Sequence, residues 1–71
     1  MLSGEIPLEI GDLSQLMYLN LYRNYLSGML PHSIGNLIYL IELDLTNNEL
    51  TGLIPTEIEN LTNLSNLALA Y

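Results

Sequence analysis

The sequence predicts an α/β solenoid, in which one short strand-and-turn unit is stacked repeatedly along a single axis. Three observations lead there. The chain repeats with a period of 24 residues, its leucines follow a spacing that fits neither a helix nor a long strand, and every period carries a glycine and a proline.

The period is the difference between Leu2, Leu26 and Leu50, and the same shift aligns Gly4, Gly28 and Gly52, then Pro7, Pro31 and Pro55. It also aligns Ile10, Ile34 and Ile58; Leu13, Leu37 and Leu61; Leu16, Leu40 and Leu64; Leu19, Leu43 and Leu67; and Leu21, Leu45 and Leu69. So many columns in register identify a repeat architecture. Within a unit, Leu13, Leu16, Leu19 and Leu21 are separated by three, three and two. A packed helix wants threes and fours, and a long strand wants twos throughout. The last spacing, as in Leu43-Asp44-Leu45, predicts a short strand with both leucines turned inward. The chain then turns, with Gly28 or Gly52 supplying an unusual backbone angle or a close approach. Pro31 and Pro55 are placed to begin a short helical turn that carries Ile34 or Ile58 inward.

One unit cannot bury its own leucine face. Stacking copies brings matching leucines together and pairs successive strands into a parallel sheet. Asn24 and Asn48 fall at the strand-to-turn corner, where a side-chain amide, both donor and acceptor, can satisfy inward-facing backbone groups as a structural ladder.

These residues spell a familiar pattern. The run Leu37-Ile38-Tyr39-Leu40-Ile41-Glu42-Leu43-Asp44-Leu45-Thr46-Asn47-Asn48-Glu49-Leu50-Thr51-Gly52-Leu53-Ile54-Pro55 resembles the plant-type leucine-rich repeat, LxxLxxLxLxxNxLxGxIP. The likeness extends from Leu2 to Tyr71, divided as a partial repeat 1–12, repeats 13–36 and 37–60, and a truncated repeat 61–71, without polar caps. Departures are small: Glu59 replaces the glycine of Gly11 and Gly35, and Asp12 replaces the asparagine of Asn36 and Asn60. Both lie on the outer turn. The resemblance implies a right-handed superhelix with a parallel concave sheet, short 3-10 or helical turns on the convex side, and a second, shorter strand near the Gly-x-Ile-Pro segment. It implies a module that binds a protein or peptide ligand, or a co-receptor ectodomain of the same kind. The implied parent is a receptor-like kinase or receptor-like protein of signalling, development or defence, at the plasma membrane or in the cell wall. A secreted polygalacturonase inhibitor with the same repeats, or a truncated gene product, is the alternative. Any serine/threonine kinase domain of the parent lies outside these residues.

If Leu19 and Leu21 point inward, strand alternation turns Tyr18, Asn20, Tyr22 and Arg23 toward the concave face. The next rung offers Glu42, Asp44, Thr46 and Asn47, and the last offers Asn66, Ala68, Ala70 and Tyr71. Tyr18, Tyr22 and Arg23 are residue types enriched in binding hot spots. Arg23 equally suits an exposed charge balance with Glu42 and Asp44. Asn60-Leu61-Thr62 and Asn63-Leu64-Ser65 are glycosylation sequons on the outer or flanking side, although the repeat's own Asn-Leu-Thr-x-Leu scaffold generates such triplets.

Composition bounds the function. Eight acids against one base, Arg23, give a net charge of −7, which disfavours nucleic acid and anionic membranes as partners; the acidity also resists aggregation. With no cysteine, neither a disulfide nor a zinc framework is available. His32 stands alone, and Glu57 and Glu59 lie a repeat or more from Glu9, so neither catalysis nor a bound cofactor is expected. The longest apolar run, Leu37–Ile41, is far too short to span a bilayer, and Met1 is not followed by a signal sequence. With bare leucine faces at both ends, the isolated chain is expected to oligomerise, aggregate or remain largely unfolded.

Overall fold

Spacings of three and two in the leucine pattern become two different pieces of backbone in the computed structural model, which describes residues 1–69. The threes are successive turns. Ile34 N–H donates to the Pro31 carbonyl (3.2 Å), Leu37 N–H to that of Ile34 (3.1 Å), and Leu40 N–H to that of Leu37 (3.0 Å). Bonds spanning three residues eclipse side chains three apart, so Ile34, Leu37 and Leu40 enter the core one after another. The twos are strand, where alternation sends Leu43 and Leu45 inward.

Strands β1 (Ser3–Glu5), β2 (Tyr18–Asn20), β3 (Tyr25–Gly28), β4 (Glu42–Asp44), β5 (Glu49–Leu50) and β6 (Asn66–Ala68) alternate with 3-10 turns at Leu8–Asp12, His32–Asn36 and Thr56–Asn60. They form two parallel three-stranded sheets, β2-β4-β6 and β1-β3-β5. Successive strands of each sheet are joined by right-handed crossovers, the hand that twisted strands favour. The 3-10 turns stack on the convex side, and the molecule is a right-handed α/β solenoid.

Proline stands one residue earlier than expected. Pro31 (φ −69°, ψ 147°) and Pro55 (φ −64°, ψ 143°) are extended N-caps, and the turn starts at the following residue. Each contributes its carbonyl as first acceptor, a role in which its missing N–H costs nothing. The sheets also differ in register. In β2-β4-β6, Tyr18 faces Glu42 and Glu42 faces Asn66, matching the 24-residue period. In the second sheet Gly4 faces Leu26 and Gly28 faces Leu50, an offset of 22. A stagger of two residues preserves which face each side chain occupies, so the sequence columns survive although the paired residues change.

At the corner between the sheets, Arg23 (φ 58°) and Asn47 (φ 59°) adopt left-handed backbone. Next to them lie the two asparagines of the repeat. Asn48 Oδ1 accepts from Leu26 N–H (3.0 Å), and its Nδ2 donates to the carbonyls of Leu21 (2.9 Å), Leu45 (3.2 Å) and Thr46 (3.3 Å). Asn24 repeats the pattern one rung earlier, with Leu2 N–H on Oδ1 (2.7 Å) and Nδ2 on the carbonyls of Leu21 (2.8 Å) and Tyr22 (3.2 Å). Gly4, Gly28 and Gly52 all have φ between 76° and 84°, which side chains strain to adopt.

Burial grades along the axis. Ile34, Leu37, Leu40, Leu43 and Leu45 of the middle units are fully buried. The same columns open at the outer units: Leu13 is 50% exposed and Leu67 47%. Neighbours on both sides close the middle columns completely, while Leu19 and Leu61, each with one stacked neighbour, keep 9% and 5% exposure.

Candidate binding surface

Sheet β2-β4-β6 carries the concave face, and its register fixes the columns. Tyr18, Glu42 and Asn66 stand side by side, as do Asn20, Asp44 and Ala68. Parallel pairing spaces the rungs about 4.8 Å apart, so neighbouring side chains of a column lie within reach of one another. Asn66 Nδ2 donates to Glu42 Oε1 (3.3 Å) and holds that carboxylate within its column.

The second column is tied to its own backbone. Asn20 Oδ1 accepts from Tyr22 N–H (3.3 Å). Asp44 Oδ1 accepts from Thr46 N–H (3.1 Å) and from the Thr46 hydroxyl (2.8 Å). Such bonds two residues ahead are the local motif short polar side chains favour at a chain exit. They fix the orientation of both side chains.

Beyond the strand ends the ladder persists, since Leu21 N–H donates to the Asp44 carbonyl (2.9 Å) and Arg23 N–H to that of Thr46 (3.0 Å). Tyr22 and Thr46 therefore continue the alternation. Arg23 and Asn47 do not. The strands end at Asn20 and Asp44, and the left-handed corner places these two exposed residues at the rim of the face, where simple alternation had put them on it. Ala70 and Tyr71 lie outside the described residues.

The face is graded. Its first rung presents the exposed rings of Tyr18 and Tyr22, the second the carboxylates of Glu42 and Asp44 with Thr46, and the third the Asn66 amide beside the small Ala68. Stacking and hydrogen bonding are offered at one end, acceptors for a cationic or N–H-rich group in the middle, and an amide beside a small side chain at the other. Asn60 and Asn63 lie elsewhere, in the last residue of the third 3-10 turn and in the segment leading to β6. His32 opens the second 3-10 turn on the convex side. Among the described residues no group of three or more His, Asp or Glu is arranged to hold a metal ion. No helix among them is long and apolar enough to cross a membrane.

Two structural positions escaped the sequence reading. Ser33 is buried and its hydroxyl donates to the Leu8 carbonyl (2.6 Å), tying adjacent 3-10 turns together. Its column holds Glu9 and Glu57, so no recurring residue type marks it. Gly11 and Gly35 were seen as a column but not as contact points; the turns pack directly across them.

Comparison with known proteins agrees with this geometry. The leucine rich repeat family model matches residues 14–71. No curated protein matches the chain. Among solved structures, the Arabidopsis receptor kinase HAESA, in complex with the peptide hormone IDA and the co-receptor SERK1, superposes with a TM-score of 0.91 at 43% identity over 94% of this chain. The plant peptide hormone receptor RGFR1, in complex with RGF2, superposes with a TM-score of 0.94 at 38% identity over 97%. The BIR3–SERK2 complex from Arabidopsis thaliana gives a TM-score of 0.86 at 43% identity over 94%. This chain spans 11% of the first two and 36% of the third. A matching family model over most of the chain, the two-sheet solenoid and the asparagine corner together place it: the chain belongs to the leucine-rich repeat family.

Proposed function

We propose that this chain is part of the ligand- or co-receptor-binding solenoid of a plant receptor-like kinase or receptor-like protein ectodomain. The observation that carries the reading is the concave face. Tyr18, Asn20 and Tyr22 stand beside Glu42, Asp44 and Thr46 and beside Asn66 in strand-paired columns, on a backbone closely similar to that of peptide-hormone receptors. Their side chains present aromatic and polar groups on rigid strands, the support that precise recognition needs. An extended peptide, or the flank of a second solenoid, is the occupant this shape suits. Arg23 and Asn47 would contact it from the rim.

The unit's work is binding. The chemistry of signalling belongs to a kinase domain elsewhere in the parent, and the solenoid faces the extracellular side of the plasma membrane. Repeats 13–36 and 37–60 act as structural units flanked by the segments 1–12 and 61–71.

Site-specific photo-crosslinking tests the surface. A benzophenone amino acid is placed at Tyr18 or Asp44 in the parent protein, with position 32 on the convex side as control. Crosslinks to a peptide or co-receptor from the first two positions, and not from position 32, are expected. Crosslinks from position 32 alone would move the interface to the convex side and refute the proposal.

A further inference from the structure

The flank of the solenoid, just ahead of β2, β4 and β6, carries a groove of about 490 Å³ lined by Gln15, Met17, Tyr39, Ile41 and Asn63. Gln15, Tyr39 and Asn63 form one column of the repeat, and Met17 and Ile41 share the column two residues on. The groove therefore runs along the stack from Gln15 to Asn63. Its wall is apolar: Met17 is 46% exposed and Tyr39 48%. Asn63 opens the sequon Asn63-Leu64-Ser65, the acceptor sequence for an N-linked sugar.

We propose that this groove seats the first N-acetylglucosamine of a glycan attached to Asn63, and that Asn63 is the glycosylated member of the two overlapping sequons. The proposal rests on the extracellular reading above. In the secretory pathway the Asn63 amide nitrogen attacks the anomeric carbon of a lipid-diphosphate-linked oligosaccharide. A carbon–nitrogen bond forms, the bond from that carbon to the phosphate oxygen breaks, the lipid diphosphate leaves, and the amide loses one proton.

Three features favour Asn63. Its Nδ2 donates to the Ile38 carbonyl (3.4 Å), and a glycosylated amide keeps one N–H, so the same bond can hold the modified side chain in place. The sugar's carbon–hydrogen face matches an exposed tyrosine ring, while its acetamido and hydroxyl groups find the Gln15 amide. An apolar wall with a few polar groups to fix orientation is the usual make-up of a small-ligand site. Covering it also removes exposed apolar surface.

Asn60 is placed differently. Its Nδ2 lies against the preceding 3-10 turn, only 3.3 Å from where a Cβ on Gly35 would sit. Asn36 repeats this placement at Gly11, at 3.0 Å. A sugar on Asn60 has to swing away from that stack.

The test expresses the full chain, flanked by polar capping repeats and behind a heterologous signal peptide, as wild type, N60Q, N63Q and Tyr39→Ala. Glycopeptide mass spectrometry reads occupancy, and endoglycosidase trimming leaves a single sugar for thermal melting and for nuclear Overhauser contacts. The expected result is a glycan on Asn63 in wild type and N60Q, contacts between the sugar and the Tyr39 ring, and a rise in melting temperature over N63Q that Tyr39→Ala abolishes. Occupancy of Asn60 alone, no contact to Tyr39, or a sugar-dependent rise that survives Tyr39→Ala would each overturn it. Because the signal peptide is supplied, these outcomes judge the groove. Bare sequons in the protein isolated from its own plant would instead count against the extracellular reading.

Discussion

Asn48→Ala probes the feature on which the corner depends. The wild-type side chain accepts from Leu26 N–H and donates to the carbonyls of Leu21, Leu45 and Thr46. These partners are not equally dependent on it. The Leu21 carbonyl keeps a second donor, Asn24 Nδ2 at 2.8 Å. Leu26 is buried, and its N–H loses its acceptor outright. Leaving a buried donor unpaired costs about 1–3 kcal/mol, which for a domain of this size is about 4–8 °C in Tm per kcal/mol. Urea denaturation followed by far-ultraviolet circular dichroism, on the chain carrying polar capping repeats, measures it. Asn48→Asp sharpens the test. It keeps an acceptor for Leu26 N–H but turns a carboxylate oxygen toward carbonyls, and it adds charge to a chain already at −7. The aspartate variant should lose at least as much as the alanine. An unchanged urea midpoint for Asn48→Ala would refute the claim that the asparagine ladder supports the corner.

Further expectations concern the graded core and the turn stack. Leu40→Ala, at a fully buried position, should cost about 2–5 kcal/mol, whereas Leu13→Ala, at a half-exposed one, should cost clearly less; equal losses by urea denaturation would contradict the burial gradient. Ser33→Ala removes the 2.6 Å bond to the Leu8 carbonyl and should cost about 0.5–1.5 kcal/mol, read as a lower Tm. Asn24→Ala should destabilise less than Asn48→Ala, because Asn48 alone of the two reaches the carbonyl of the preceding rung; the reverse order in parallel urea titrations would contradict that.

What was legible in the sequence is whatever recurs. Leu19, Leu43 and Leu67 share a column because they share a job, and the same holds for Asn24 with Asn48. The concave columns follow from those leucines, since fixing which side chains enter the core fixes which leave it. Three things were not legible. The two-residue stagger of the second sheet leaves every column intact, so it has no trace in the pattern. The left-handed backbone at Arg23 and Asn47 changes where those side chains stand without changing the period. The groove at Asn63 arises from variable positions, where Met17, Tyr39 and Gln15 differ from their counterparts and only folding brings them together.

Glu59 is the visible departure in the glycine column of the turns. As a replacement for Gly11 and Gly35 it reads as a harmless change on an outer turn, and the third 3-10 turn does form around it. Yet the column is where turns meet. A Cβ on Gly35 would lie 2.7 Å from Glu57 Cβ and 2.8 Å from the Glu57 carbonyl oxygen, closer than real Cβ atoms come. One of those neighbours is backbone and cannot rotate aside. A side chain at Gly35 therefore requires the turn Thr56–Asn60 to shift from its present seat on His32–Asn36. Gly35→Ala isolates this effect, because Gly35, unlike Gly4 at φ 84°, needs no left-handed backbone. Overpacking of this kind costs about 1–3 kcal/mol, while Gly4→Ala, with open space around its Cβ, should pay only the left-handed penalty of about 1–2 kcal/mol. The two separate in Gly35→Glu, which carries the residue of position 59 into the middle of the stack. It should lose more than Gly35→Ala and loosen the 3-10 turns, seen as faster amide hydrogen exchange at Leu37 and Leu61. Wild-type exchange rates and an unchanged Tm in Gly35→Glu would mean that the turns yield to a side chain, and the glycine column would lose its role in setting their spacing.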